Sequence, residues 1–330
     1  MKRQLDVDQL FHTLDTMTEI LTEEGHGQYL EALAQTGENL FRGEILQEPL
    51  SDGAIAKMDA LFKQVHDTSI EKETVRKAFQ LAIIKGMKQS VQPHHAMTPD
   101  GIAVFSSYLI QRLIGADQKV TVYDPAVGTG NLLTAVMNHT DNIQKGIGAE
   151  VDESLINLAY VMSNLQQYDL ELLQMDSVRE QGIPDVDLIL SDLPIGIYTN
   201  DDVIESFESK PDEARMPAEY ALIENSLKSL KPGGIGLYLI PNDMFSRDHS
   251  ENFRSFMKRE AITLGMLQLP ASMFKAEKHQ KSIWMIQKKG PGVTAPSQAL
   301  LAELPSFQRA DALSDMMTRI NDWFLKYFSR

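Results

Sequence analysis

The chain has 330 residues, 43% of them hydrophobic and 23% charged, the makeup of an ordinary folded protein, which excludes a disordered or fibrous one. It has no cysteine, so disulfides, thiolate metal sites and cysteine nucleophiles are excluded. The formal net charge of −15 works against any broad attraction to nucleic-acid phosphates, and basic character is confined to the C-terminal end: residues 1–95 carry 10 basic and 15 acidic side chains, residues 96–270 carry 12 and 26, and residues 271–330 carry 9 and 5. The length predicts more than one folded unit. The longest apolar runs are strand-length and the N-terminus reads MKRQLDVDQLFHTLD, so neither a membrane span nor a signal peptide is expected, and a cytoplasmic setting fits best.

Residues 1–92 read as an all-helical N-terminal domain. Apolar side chains recur at helical spacing in Leu10, Leu14, Met17, Ile20 and Leu21, and again in Phe79, Ala82, Ile83 and Met87. Breaks at Gly25 to Gly27, Glu48-Pro49 and Asp52-Gly53 divide the domain into several helices, and Gln92-Pro93-His94-His95 ends it. Residues 93–290 then alternate short apolar strands with helices: VTVYD (120–124), GIGAEV (146–151), VDLILSD (186–192), IGLYLIP (235–241), AITLGMLQLP (261–270) and SIWMIQK (282–288). Such alternation predicts an α/β fold, a doubly wound Rossmann-like sheet, mostly parallel. No long helix precedes the last strand, so it is expected to be antiparallel, at the edge. Residues 291–330 read as a linker, GPGVTAP, followed by an amphipathic helix over 310–327 with Leu313, Met316, Met317, Ile320 and Phe324 on one stripe. Packing onto the body is the expected use of that stripe, with a homodimer interface second.

The first strand runs into Asp124-Pro125-Ala126-Val127-Gly128-Thr129-Gly130-Asn131 and a helix beginning near Leu132. Glycines there let a ligand approach the backbone. The third glycine of a dinucleotide loop and the Lys-Ser/Thr of a phosphate loop are both absent, so a pyrophosphate is not the obvious ligand. An amino-acid moiety fits better, its carboxylate on the helix N-terminus and its ammonium on Asp124. Glu150, followed by Val151 and Asp152, ends the second strand, where an acid grips ribose hydroxyls in nucleotide-binding α/β folds. Asp176, in LLQMDSV, follows a third strand and suits an adenine amine.

DPAVGTGNLL, GAEVD, MDS and SDLPIG, in this order, resemble the class I S-adenosylmethionine-dependent methyltransferases that modify adenine in DNA, particularly the methylation subunits of type I restriction-modification systems. The resemblance covers residues 92–290 and includes a Thr98-Pro99 element like the one that holds the methionine end of the cofactor. It implies S-adenosylmethionine as cofactor, S-adenosylhomocysteine as product, and a binding set of Thr98, Pro99, Asp124, Pro125, Ala126, Gly128, Gly130, Asn131, Leu132, Glu150, Val151, Asp176 and Ser177. DNA and a separate specificity subunit are the implied partners, because the residues beyond 290 are too few for a substantial target-recognition domain.

In that family the fourth strand ends in Asn/Asp/Ser-Pro-Pro-aromatic. The side-chain oxygen and a proline carbonyl accept from an exocyclic amine, and the aromatic stacks on the extruded base. Here the stretch is Asp192-Leu193-Pro194-Ile195-Gly196, which keeps the acid and the second proline but lacks the first proline and the aromatic. Asp192 and Pro194 are the expected catalytic residues, with Tyr198 as a stacking residue. The next segment, 199–220, holds seven acidic and two basic residues where DNA would approach, a solvated loop or a lid. A protein amide or small amine is therefore an alternative acceptor, and a catalytically degenerate scaffold a third reading. Lys275, Lys278, His279 and Lys281 form a basic hairpin suited to a phosphate, though more often such residues are only solvated. No metal site is expected; His94 and His95 read as loop.

Overall fold

A computed structural model describes residues 5–66, 68–89, 97–115, 117–180, 183 and 185–328. The predicted end of the helical domain at residue 92, with His94 and His95, lies outside the described residues. In chain order the elements are α1 (Val7–Glu23), α2 (Tyr29–Arg42), α3 (Asp52–His66), α4 (Lys72–Gln89), α5 (Asp100–Leu113), β1 (Val120–Asp124), α6 (Asn131–His139), β2 (Ile143–Glu150), α7 (Glu153–Leu165), β3 (Leu170–Gln174), β4 (Val186–Asp192), α8 (Asp201–Ile204), α9 (Ala218–Ser229), β5 (Leu230–Pro241), α10 (Glu251–Glu260), β6 (Ala261–Gln268), β7 (Lys281–Lys288), β8 (Leu300–Glu303) and α11 (Ala310–Tyr327).

Local chemistry sets the helical N-terminal region. Asp6 caps α1 by accepting from the Gln9 backbone N–H at 2.8 Å, and the Gln9 side chain answers to the Asp6 N–H, a reciprocal capping box. The stripe Leu10, Leu14, Met17, Ile20 and Leu21 is then wholly buried. The bundle does not close on itself. Leu158, Val161 and Met162 of α7 belong to the same core as Leu10, Leu14, Leu33 and Phe79. A Cβ added at Gly37 of α2 would fall 2.8 Å from Val161 Cγ2, so only glycine lets α2 and α7 approach this closely.

The eight strands run in the order β3-β2-β1-β4-β5-β7-β6-β8. All neighbours are parallel except β7, which is antiparallel to β5 and to β6. This is the doubly wound, mostly parallel sheet that the alternation predicts. The antiparallel strand lies toward the far edge, with β6 and the short β8 outside it. The linker stretch supplies β8, four residues too short and too polar at Glu303 to announce themselves as a strand. Successive side chains of a strand face opposite ways, and the core divides accordingly. Leu188, Leu190, Leu237, Leu239, Ile283 and Met285 face α5, α6 and α11, whereas Ile189, Tyr238, Ile240, Trp284 and Ile286 face α9 and α10. Each such buried aliphatic contributes roughly 1.5–3 kcal/mol. On α11, Met316, Ile320, Trp323 and Phe324 are buried, with Leu313 and Met317 half-buried beside them. No helix among the described residues is long and apolar enough to cross a membrane.

Candidate functional site

The strand order turns sequence spacing into a site. β1 leads to β2 and β3 on one side of the sheet and β4 lies on the other, so the chain reverses direction between β1 and β4. Open α/β sheets bind ligands at such a reversal, outside the carboxyl ends of the strands. Asp124 ends β1, Glu150 ends β2, Asp176 follows β3 and Asp192 ends β4. Four carboxylates thus lie in a row across four adjacent strands, with the loop 125–130 rising beside them.

Two glycines in that loop have left-handed backbones, Gly128 at φ 55° and Gly130 at φ 79°. They serve different ends. A Cβ on Gly128 would meet nothing within 4 Å, so this face of the loop is open, whereas one on Gly130 would lie 3.3 Å from Ala159 Cβ of α7. Behind Gly130, α6 starts, and the first turn of a helix has N–H groups without internal partners. Glu150 fixes the loop from below: one carboxylate oxygen accepts from the Gly128 N–H at 3.0 Å, the other from the Val151 and Asp152 N–H groups at 2.9 and 3.0 Å.

Asp124 is buried, and its Oδ1 accepts from the Ala126 N–H at 3.0 Å and from Ser191 Oγ at 2.8 Å. Burial pushes its carboxyl up to about 7 against those two donors, and the nearby charges of Asp192 and Glu150 add to the rise. Asp176 accepts from the Val178 N–H at 2.9 Å and, on its other oxygen, from the Tyr198 hydroxyl at 2.6 Å. Burial and that carboxylate push the Tyr198 hydroxyl well above its ordinary value. Tyr198 is thereby tied to the acid that follows the third strand.

At the end of β4, Asp192 is bound on both oxygens. Oδ2 accepts from Thr98 Oγ1 at 2.7 Å, and Oδ1 accepts from Lys281 Nζ. The same ammonium donates to the Leu193 carbonyl at 3.0 Å. Leu193 itself is fully buried, and its N–H donates to the Leu239 carbonyl of β5 at 3.3 Å, a bond that a proline could not make. Pro194 is exposed, as are Ile195 and Ile197 beyond it. The acidic segment that follows is packed at several points. Ile204, Phe207 and Met216 are buried, Glu224 of α9 accepts from the Glu208 and Ser209 N–H groups, and Tyr198 N–H donates to Met216 O at 2.9 Å.

The structure therefore brings together Thr98, Asp124, Ala126, Gly128, Gly130, Asn131, Glu150, Asp176, Asp192 and Tyr198. Other predicted positions stand less directly on the crevice. Pro99 is exposed and its carbonyl opens α5; Pro125 and Leu132 are buried under the loop; the Val151 side chain is 69% exposed; Ser177 is buried, accepting from the Tyr123 hydroxyl at 3.2 Å. Two residues carry more than the sequence suggests. Arg76 of α4, fully buried, donates to Asn131 Oδ1 at 2.8 Å and pairs with Glu73 and Asp100. Asn131 passes the contact on, donating to the Thr98 carbonyl at 3.1 Å. Lys281 is the other: it is noticeable only as one of several cations in a hairpin, and nothing in its spacing joins it to Asp192. Among the described residues no group of three or more His, Asp or Glu is arranged to hold a metal ion.

Comparison with known proteins gives the chain's family and relatives. The model of the N-6 DNA Methylase family matches residues 96–311, and that of the YtxK N-terminal helical domain matches residues 8–87. The chain is 40% identical over 322 residues to the uncharacterized protein YtxK of Bacillus subtilis, covering 97% of this chain and 98% of that one. Among solved structures, a Listeria monocytogenes protein assigned to the class I S-adenosylmethionine-dependent methyltransferases is 34% identical, with a TM-score of 0.89 over 96% of this chain and 98% of its own. A modification subunit assigned to a type I restriction enzyme of Vibrio vulnificus shares the fold at 15% identity, with a TM-score of 0.66 over 89% of this chain and 65% of its own.

Proposed function

The chain belongs to the N-6 DNA methylase family, and from that premise we propose that it moves a methyl group from S-adenosylmethionine to an amino nitrogen, nominally the exocyclic amine of adenine in DNA. The observation that carries the reading is the row of carboxylates on four neighbouring strands around an open glycine loop. The residues fit the donor piece by piece. Asp124 is a buried acid whose ionised form lacks a cation, which the methionine ammonium would supply. The free N–H groups at the start of α6 suit its carboxylate. Glu150, three of its four acceptor sites already taken by backbone N–H groups, has one left for a ribose hydroxyl, and Asp176, with two taken, has room for the adenine amine beside the Tyr198 hydroxyl. Pro125, Ala126, Gly128, Gly130, Asn131, Leu132, Val151 and Ser177 shape this bed, with Thr98 and Pro99 closing the methionine end.

When bound, the donor supplies a methyl group on a positively charged sulfur and leaves as S-adenosylhomocysteine. The chain's share is orientation. Asp192 and the Leu193 carbonyl accept two N–H bonds from one nitrogen, which turns the remaining lone pair outward. Pro194, Ile195 and Ile197 give the acceptor an apolar rim, and Tyr198 walls the cofactor side. Calorimetry with S-adenosylmethionine, followed by transfer of a labelled methyl to DNA by the unaltered protein and by Asp192→Ala, tests both halves. Binding without transfer to any DNA would remove DNA as acceptor.

A second acceptor, a protein amide or a small amine, is favoured by the charge at the rim. Asp201, Asp202, Glu205, Glu208 and Glu213 are exposed on the segment after Tyr198, where phosphates would approach. As a DNA enzyme the chain would work with a separate specificity subunit; its own copy on α11 is the further partner proposed. Mass spectrometry of a cell extract treated with the enzyme separates nucleic-acid, protein and metabolite products.

A further inference from the structure

The amine position just described is filled by the protein itself. Lys281 opens β7, where its carbonyl accepts from the Leu269 N–H at 3.1 Å, and its partner across the ladder is Pro241 of β5. β5 separates β7 from β4 in the sheet, so the Lys281 and Asp192 side chains meet over β5. Lys281 ends there on two acceptors at once, Asp192 Oδ1 and the Leu193 carbonyl. Its side chain is 17% exposed and that of Asp192 16%, so the pair is largely withdrawn from water. An ordinary ion pair would need only the carboxylate. A backbone carbonyl and a carboxylate converging on one nitrogen form a seat for an amine.

Resting on the methyl-transfer reading above, we propose that Lys281 is itself a methyl acceptor, a self-modification site occupied whenever no external amine displaces it. The neighbouring contacts put it beside the donor bed: Asp192 bridges Lys281 on one oxygen to Thr98 on the other, and the Thr98 carbonyl is held by Asn131 at the head of α6. The step balances without an added reagent. One ammonium proton passes to the Asp192 carboxylate and on to water, leaving a neutral amine. Its lone pair forms the new C–N bond as the C–S bond breaks, and the sulfur keeps that bonding pair as an uncharged thioether. The methylated nitrogen remains a cation with an N–H for each of the two acceptors, so the product keeps the seat.

The full chain, incubated with S-adenosylmethionine carrying an isotopically labelled methyl group and no other acceptor, should gain label approaching one methyl per chain, on the peptide containing Lys281. Lys281→Met should lose that label while still binding S-adenosylmethionine in calorimetry. Cofactor binding by the unaltered chain with Lys281 unlabelled overturns self-methylation and leaves the cofactor assignment standing; label on other lysines alone overturns it equally. A chain that binds no S-adenosylmethionine overturns both.

Discussion

Replacing Asp124 by Asn tests whether the buried acid at the centre of the row is built for a cation. Both hydrogen bonds to this side chain, from Ala126 N–H and Ser191 Oγ, land on Oδ1, which Asn retains. The change therefore removes charge without removing an acceptor. Holding a carboxyl at about 7 instead of its ordinary 3.8 corresponds to about 4 kcal/mol against the ionised form. The folded value lies above the unfolded one, so the protonated acid's contribution is complete below about 3.8 and is lost as pH rises through about 7. Asp124→Asn should match the parent near pH 4 and exceed it increasingly up to pH 8, by at most about 4 kcal/mol, in urea denaturation followed across that range. The same substitution should weaken S-adenosylmethionine by ten- to a hundred-fold, since a charge-assisted bond contributes about 1.5–3 kcal/mol. In the parent, binding at pH 6 should release a proton and make the calorimetric enthalpy depend on the buffer. A variant no more stable than the parent at pH 8, or one that binds the cofactor equally well, would refute the reasoning.

Arg76→Met should lower stability by about 2–4 kcal/mol, below the upper range for a broken buried pair because Glu73 and Asp100 keep some access to water; it should also weaken S-adenosylmethionine, and unchanged calorimetric affinity would separate α4 from the loop. Gly130→Ala forces a Cβ into a left-handed backbone facing Ala159 and should cost about 1–3 kcal/mol by denaturant titration. Tyr198→Phe removes the hydroxyl from Asp176 Oδ2, so S-adenosylmethionine should bind as tightly as before or a few-fold tighter; a tenfold loss would mean that the hydroxyl itself contacts the cofactor.

Much of the fold is written in local periodicity. The α1 stripe and the 120–124, 186–192 and 235–241 strands are visible because burial on one or both faces imposes a period of 3.6 or an unbroken apolar run. β3 and β8 are harder, being short and only half-covered, with the burial of LELLQ mixed. For the site, Asp124, Glu150, Asp176 and Asp192 are legible because each ends a strand or closely follows one, and adjacency in a parallel sheet follows from the fold class. Arg76 and Lys281 are not. Each reaches its partner across an element from elsewhere in the chain, 55 residues in one case and 89 in the other. A long flexible side chain has no signature until the topology sets its distance. The Tyr198 contact is similar: the sequence places the residue close after Asp192-Leu193-Pro194, and only the turn tied down by Met216 and Ala218 brings its hydroxyl to Asp176.

Because α1, α2 and α4 share a core with α7, the N-terminal helices and the sheet are expected to unfold together. Phe79 and Leu33 lose their cover if α7 moves, and Val161 loses its own if the bundle does. Free energy gained by filling the glycine loop is then felt throughout the bundle, because a ligand that binds only the folded state stabilises everything that unfolds with it. Amide exchange in α1 and α2, far from any reacting atom, should slow as donor concentration rises, so the helical region reports how fully the methyl-donor pool is loaded.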